Sequence, residues 1–405
     1  MTESKNWKKF PTLFSLYIAQ SVPMSFFSTV VPVIMRQENF SLEAIGLLQL
    51  VKLPWIAKFL WAPLVDNTSK NSKDLKKWIV LSEIFYAVVI CSIAFLDLAT
   101  DFKLIVALMV VAFTASATQD IATDTFAILI LRKDERSFGN SIQVAGSFVG
   151  ALIGTGVLLI AYSFFGWSAF LFMLAGFILF ALIPLRLYRK EFTINKSENY
   201  RLNLAEFFRF FKIPGMPKRL LILFFYYSGF IGVLTMLKPY LVDLGYDIKQ
   251  IGFMSGIIGT SSAIAWAFIT GFLIKNTGRK PAMMTITSLA IITAIYFWWI
   301  AGLEPSTTQI YIGLFLIWGA YGSSSVVIYT TSMDMVRPGA SGTDFTFQIV
   351  ITHLASLIIA VSSGKVADAI GYQGLFAAEV GLGLVTLVIV FFAMPKRIVK
   401  RPSVE

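Results

Sequence analysis

Two carboxylates four residues apart, Asp120 and Asp124, stand in the stretch Ser116-Ala-Thr-Gln119-Asp120-Ile-Ala-Thr123-Asp124-Thr-Phe126, within an apolar segment from about Leu104 to Leu131. Four residues is one helical turn, so the two acids share a face, with Gln119 and Thr123 beside them. A helix that crosses a bilayer needs about 20 apolar residues, which places Asp120 near the midplane and Asp124 about 12 Å before the basic end at Arg132. Ionised carboxylates at that depth cannot face lipid. They must point into protein or water and find partners, and such acids handle substrate or protons, or serve as structural ion pairs and interhelical hydrogen bonds.

The elements that position them are membrane helices. The chain has 405 residues, 57% hydrophobic and 14% charged, too few polar groups to cover a soluble surface. One cysteine, Cys91, excludes an internal disulfide, and with one histidine, His353, no His/Cys metal cluster can form. No cofactor or metal is expected. Met1 to Phe10 is polar and basic and the first apolar segment is too long for a signal-peptide core, so no cleavable signal is expected.

Apolar segments fall at about 11–35, 44–65, 78–97, 104–131, 138–163, 167–187, 219–242, 250–274, 281–301, 308–333, 345–364 and 373–394, which reads as twelve spans with both ends on one side. If the termini are cytoplasmic, 27 of the 34 Lys and Arg residues lie inside and four outside: Arg36, Lys103, Lys249 and Lys365. Lys52, Lys58 and Lys238 lie within spans. This bias sets the orientation, and it accounts for the net charge of +11 without invoking nucleic acid.

The chain repeats itself. Ser41-Leu-Glu-Ala-Ile-Gly46-Leu returns as Asp247-Ile-Lys-Gln-Ile-Gly252-Phe, and Arg132 and Arg337, Gln143 and Gln348, Gly166 and Gly371 are each 205 residues apart. The expected fold is an all-α integral membrane protein of twelve transmembrane helices in two six-helix bundles of parallel topology, both termini cytoplasmic. The bundles are read as 1–187 and 219–395, with a basic linker over 188–218 and a cytoplasmic tail over 396–405. Within the linker, Leu202 to Phe211 could lie on the membrane as an interfacial helix.

The second span carries Lys52, Pro54, Lys58, Pro63 and Asp66. Counted from the inner ends of spans two and four, Lys58 stands level with Asp124 and Lys52 lies within half a turn of Asp120. The expected pair is Lys58 with Asp124, leaving Asp120 to carry a proton, while snorkelling to the inner surface is the alternative for Lys58. Asn140 and Gln143 open the fifth span near the inner mouth, and Gly146, Gly150 and Gly154 form a small-residue face suited to close helix packing. The second half is less charged; Tyr329, Gln348 and His353 are its candidate cavity residues, with His353 more readily a packing residue than a proton relay.

Gly271-Phe-Leu-Ile-Lys275-Asn-Thr-Gly278-Arg279-Lys280 resembles the major facilitator signature Gly-x-x-x-Asp-Arg-x-Gly-Arg-Arg, with Lys275 in place of the acid. In the first half only Pro63-Leu-Val-Asp66 remains. The resemblance implies a gating role for Asp66, Gly271, Gly278 and Arg279; Asp66 is the expected latch, and the second copy is read as a solvated turn.

Leu53-Pro54-Trp55-Ile-Ala-Lys58-Phe-Leu-Trp61-Ala-Pro63-Leu-Val-Asp66, with Gln119-Asp120-Ile-Ala-Thr-Asp124 and Gly139-Asn-Ser-Ile-Gln143, is similar to the major facilitator branch of muropeptide permeases, acetyl-CoA transporters and single-component siderophore permeases. Ser41 to Gly46, Gly139-Asn140 and the lack of two extra C-terminal spans lean toward the siderophore permeases. The resemblance implies proton-driven import at a bacterial inner membrane. Phe148 departs from it, standing where relatives carry a basic residue, so no substrate anion site carries over from that residue.

The expectation is a proton-coupled transporter, acting as a monomer, that moves a siderophore or its iron complex. A muropeptide or acetyl-CoA-type solute is the alternative within the fold. A membrane enzyme would need a nucleophile, metal ligands or a lipid-phosphate site near an interface, and none is assembled. A sensor that binds without transporting is the reading from another class.

Overall fold

Helices long and apolar enough to cross a bilayer dominate the computed structural model, which describes residues 7–37, 48–98, 100–194, 202 and 205–394. Ser41 to Gly46 and the 396–405 tail lie outside them. In chain order the helices are α1 (Lys9–Ser25), α2 (Val31–Gln37), α3 (Leu53–Ala57), α4 (Ala62–Thr68), α5 (Ser72–Ile93), α6 (Phe102–Ile130), α7 (Arg136–Leu152), α8 (Leu158–Phe180) and α9 (Ile183–Leu187). They continue as α10 (Ala205–Phe211), α11 (Met216–Phe225), α12 (Ile231–Asp243), α13 (Ile248–Ile251), α14 (Thr260–Thr277), α15 (Arg279–Ala301), α16 (Thr307–Met333) and α17 (Ser341–Ala393). The β-structure among the described residues is one isolated bridge, Asn71 to Thr193.

Among the described residues, eight helical stretches meet the length and hydropathy of a membrane span. Their outward faces are apolar as well as their inward ones. On α15, Met283, Ile286, Ala290 and Phe297 are buried at helical spacing while Ile292, Ile295, Trp298 and Trp299 are exposed. A helix apolar all round has lipid for its solvent.

Prolines and glycines set the interruptions. Pro54 and Pro63 sit in the first turns of α3 and α4, where a missing N–H costs nothing. The second apolar segment is therefore a series of short helices joined by 3₁₀ turns at Leu48–Lys52 and Lys58–Leu60. Wider π turns follow α1 at Phe26–Val30 and α7 at Ile153–Val157, and Gly252–Gly259 is a third.

Gly166 and Gly371, matched in the sequence repeat, break their helices with the same left-handed φ of 72°. An L side chain is strained at that φ, so glycine is the residue that fits. A second matched pair behaves alike: the Arg132 backbone N–H donates to Glu135 Oε2 at 3.0 Å, and that of Arg337 to Asp344 Oδ2 at 2.8 Å. In each copy an arginine turn is tied by a carboxylate just before or within the first turn of the next long helix.

The chain forms two units, one of Met1–Glu206 with Val336–Phe347, the other of Phe207–Met335 with Gln348–Glu405. In the first, α7 lies close along α1 through its glycine face. A Cβ on Gly150 would stand 2.7 Å from Ser21 Cβ, and one on Gly154 would stand 2.4 Å from the Val22 carbonyl oxygen. In the second, Trp318 lies over Gly259 and Trp266 over Gly319. Small residues let these backbones approach where the surrounding solvent offers no hydrophobic drive to pack.

Candidate functional site

Helix α6 carries Asp120 and Asp124 on one buried face, each 4% exposed. Lys58, 2% exposed, ion-pairs with Asp120 Oδ2, and its ammonium lies 4.8 Å from the centroid of the Trp55 ring. Asp124 is held differently. Its Oδ1 accepts from Tyr17 Oη at 2.7 Å and from Gln143 Nε2 at 3.3 Å. Side chains from the second apolar segment, α1, α6 and α7 thus converge on two carboxylates that share one ammonium. Two acids and one base in a low-dielectric interior carry a net negative charge unless a proton joins them, and burial makes that charge expensive.

The expected partner of Lys58 was Asp124, and the structure corrects this to Asp120. The cause is the backbone of the second segment. Counting at 1.5 Å per residue assumes a continuous α-helix, whereas the 3₁₀ turn at Lys58–Leu60 rises about 2.0 Å per residue and Trp61 departs from helical geometry, which carries Lys58 deeper. Full burial likewise removes the snorkelling alternative for Lys58, while Lys52 is half-buried at its own 3₁₀ turn.

Gln119 is fully buried beside the pair, and neither amide atom has a hydrogen-bond partner among the described residues. Asn140 is buried and donates to the Arg136 carbonyl of its own helix at 2.8 Å. Gly139, read as a mark of substrate branch, lies against the end of the Leu131 side chain, which a Cβ would meet at Cδ1 at 2.4 Å and push aside.

At the C-terminal end of α4, the buried Asp66 carboxylate accepts the backbone N–H groups of Gly342 at 3.1 Å and Thr343 at 2.7 Å. Those donors are the unsatisfied amides of the first turn of α17, so a carboxylate there meets both hydrogen-bonding demand and the positive end of the helix dipole. This helix start belongs to the same unit as Asp66 although 276 residues separate them.

The signature in the second half is not the solvated turn expected. Gly278 turns the chain at φ 90°, and Arg279 Nε donates to Asp334 Oδ2 at 2.8 Å, where the Asp334 side chain is 0% exposed. Lys280 caps the carbonyls of Phe391 and Met394 at 2.5 and 2.8 Å. Gly271 is buried within α14. Position along the sequence hid Asp334, which lies 55 residues away.

The other candidates of the second half do not gather in one place. Gln348 accepts from Arg219 Nε at 3.1 Å and donates to the Ser332 carbonyl at 3.3 Å. Arg219, the first residue of the 219–242 apolar segment, is buried and also donates to Ser332 Oγ at 2.8 Å. Tyr329 is half-buried, and His353 is exposed on α17 next to exposed Leu354 and Leu357.

Two further acids are buried. Glu379 Oε2 accepts the Gly232 N–H at 3.1 Å and caps the restarted helix α12. Glu83 on α5 was not singled out from sequence, although it is an acid inside a predicted span at helical spacing from Ile79, Tyr86 and Ile90.

The model of the Major Facilitator Superfamily matches residues 13–360. Over 384 residues the chain is 23% identical to the anhydromuropeptide permease of Escherichia coli (strain K12), covering 93% of this chain and 78% of the permease. It is 24% identical over 393 residues to an uncharacterised protein of Haemophilus influenzae, covering 92% of each. Among solved structures, a bacterial homologue of the iron transporter ferroportin in an outward-facing state aligns with a TM-score of 0.72 at 15% identity, covering 95% of this chain and 98% of that one, a likeness of fold alone. With its all-helical build, its apolar spans and a family match over most of its length, the chain belongs to the Major Facilitator Superfamily of membrane transporters.

Proposed function

We propose that the protein is a proton-driven importer of anhydromuropeptide-class solutes, sugar-linked peptides bearing carboxylates, across a bacterial inner membrane. The leaning toward siderophores rested on Ser41 to Gly46, on Gly139-Asn140 and on the lack of two extra C-terminal spans; the first lies outside the described residues. The relative of known substrate that matches along 93% of the chain is a muropeptide permease, which favours the former alternative.

The observation that carries the reading is the buried Lys58 ammonium paired with Asp120 while a second buried carboxylate, Asp124, stands one helical turn on with Tyr17 and Gln143 as its donors. A peptide carboxylate that reaches Lys58 competes with Asp120 for it. Asp120, losing its counter-ion away from water, then takes up a proton, so solute and proton are bound together.

Twelve crossings suit this function. The 53-residue α17 is far longer than one crossing and divides at Gly371; the segment Leu48–Thr68, helix α5 and the pair α11 with α12 supply the remaining three beyond the eight long apolar stretches. The basic asymmetry supports cytoplasmic termini, and the protein acts as a monomer.

The test is uptake of labelled anhydromuropeptide into proteoliposomes with an imposed pH gradient. Accumulation that follows the gradient is expected, and Asp120→Asn should abolish it while leaving downhill exchange. Uptake of a ferric siderophore but not the muropeptide overturns the substrate, and binding without uptake by either overturns transport.

A further inference from the structure

Glu83 projects from the middle of α5 into the first unit, 1% exposed, in line with Ile79, Tyr86 and Ile90. Both carboxylate oxygens lack a hydrogen-bond partner among the described residues. Beside it lie the hydroxyls of Tyr86 and, one step further, Ser116 of α6, which also have no partner by hydrogen-bond geometry. We propose that Glu83 is a second proton-binding site of the transporter, distinct from the Lys58–Asp120–Asp124 cluster, that gains and loses a proton in each cycle.

The surroundings decide the state of the group. Helix α5 packs on α6, α8 and α4. From α6 the acids Asp120 and Asp124 are already held by Lys58, Tyr17 and Gln143; α8 brings no charged residue and one half-buried phenol, Tyr162; on α4, Asp66 is taken by the start of α17. Among the described residues neither Glu83 oxygen has a hydrogen-bond partner, a cation included. A charged carboxylate with neither counter-ion nor donor at membrane depth costs several kcal/mol, so in this conformation Glu83 is the neutral acid.

The same site is equipped for the other state. The Tyr86 hydroxyl, one turn along α5, can turn its proton toward a carboxylate, with the Ser116 hydroxyl next to Tyr86. Ser116 stands one turn before Asp120 on α6. Ser116, Gln119 and Thr123 form a run of buried polar side chains with atoms lacking partners, where water admitted by a conformational change would find several hydrogen bonds. The proton leaves the Glu83 carboxyl for that water and is replaced from water on the opposite side of the membrane; no bond to carbon changes. A leucine would fill the space without this cost, so the carboxyl contributes something other than packing.

This inference rests on the proton-driven reading above, and the experiment separates the two. Infrared difference spectra of the full chain in liposomes, without solute, should contain a protonated-carboxyl band that Glu83→Gln removes and Asp124→Asn retains. With anhydromuropeptide as probe, losing one coupled proton should lower steady-state accumulation by about tenfold per pH unit of gradient. Glu83→Leu, which keeps the packing, should give the same result if Glu83→Gln folds poorly. Wild-type uptake that ignores the gradient overturns the transport reading and the cycling of Glu83 with it. Full wild-type accumulation in Glu83→Gln or Glu83→Leu, or a spectrum unchanged by either, overturns the role of Glu83 alone.

Discussion

Lys58 is bound to Asp120, while Asp124, one helical turn further along α6, takes its hydrogen bonds from Tyr17 and Gln143. The two acids are neighbours with different supports, and each support can be removed separately.

Removing one partner of the buried pair should cost about 3–5 kcal/mol, because the other is left charged and unpaired. Lys58→Met is therefore expected to lower the melting temperature in detergent, and Lys58→Met with Asp120→Leu to recover most of the loss. The pairing of Lys58 with Asp124 expected from residue counting would instead make Asp124→Leu the better rescue. Melting curves of the two double variants decide between them.

Asp66→Ala leaves the amides of Gly342 and Thr343 without their acceptor, a loss of about 1–3 kcal/mol if water cannot replace it. We expect transport to fall while solute affinity stays near that of the wild type, since no part of the Lys58 cluster is touched. Side-by-side uptake and binding titrations check this; unchanged uptake would remove Asp66 from the gate.

Gly154→Ala should destabilise the protein by roughly 1–3 kcal/mol, because the new methyl meets the backbone carbonyl of Val22. Gly156→Ala, two residues on, has nothing within 4 Å and should be nearly silent. Equal melting temperatures for the two variants would contradict the close contact of α1 and α7.

Lys190 is exposed after α9, in the basic linker, and should face the cytoplasm. In a Cys91→Ser background, Lys190→Cys is expected to resist an impermeant thiol reagent in intact cells and to react after the cells are opened. Labelling in intact cells would invert the topology.

Much of this was legible in the chain itself. The apolar content, the recurrence at 205 residues and the shared face of Asp120 and Asp124 are properties of composition and local helical spacing, which a sequence displays directly. The matched glycines Gly166 and Gly371 adopt the same φ because the backbone demand is local too. The small-residue face of α7 was likewise read as packing, and the structure lays it against α1.

The partners of the charged groups were decided elsewhere. Lys58 chose Asp120 because short non-α turns changed the rise of its segment, Asp66 found amides 276 residues away, and Arg279 found Asp334. Arg219, at the edge of its span, is buried against Gln348, and Glu83, not singled out from sequence, has no donor among the described residues. Burial and pairing depend on which faces of distant helices meet, and a shift of half a turn exchanges one carboxylate for its neighbour. Residue types and spacing determined that acids and bases had to meet inside a membrane protein; only the packed helices determined which ones did.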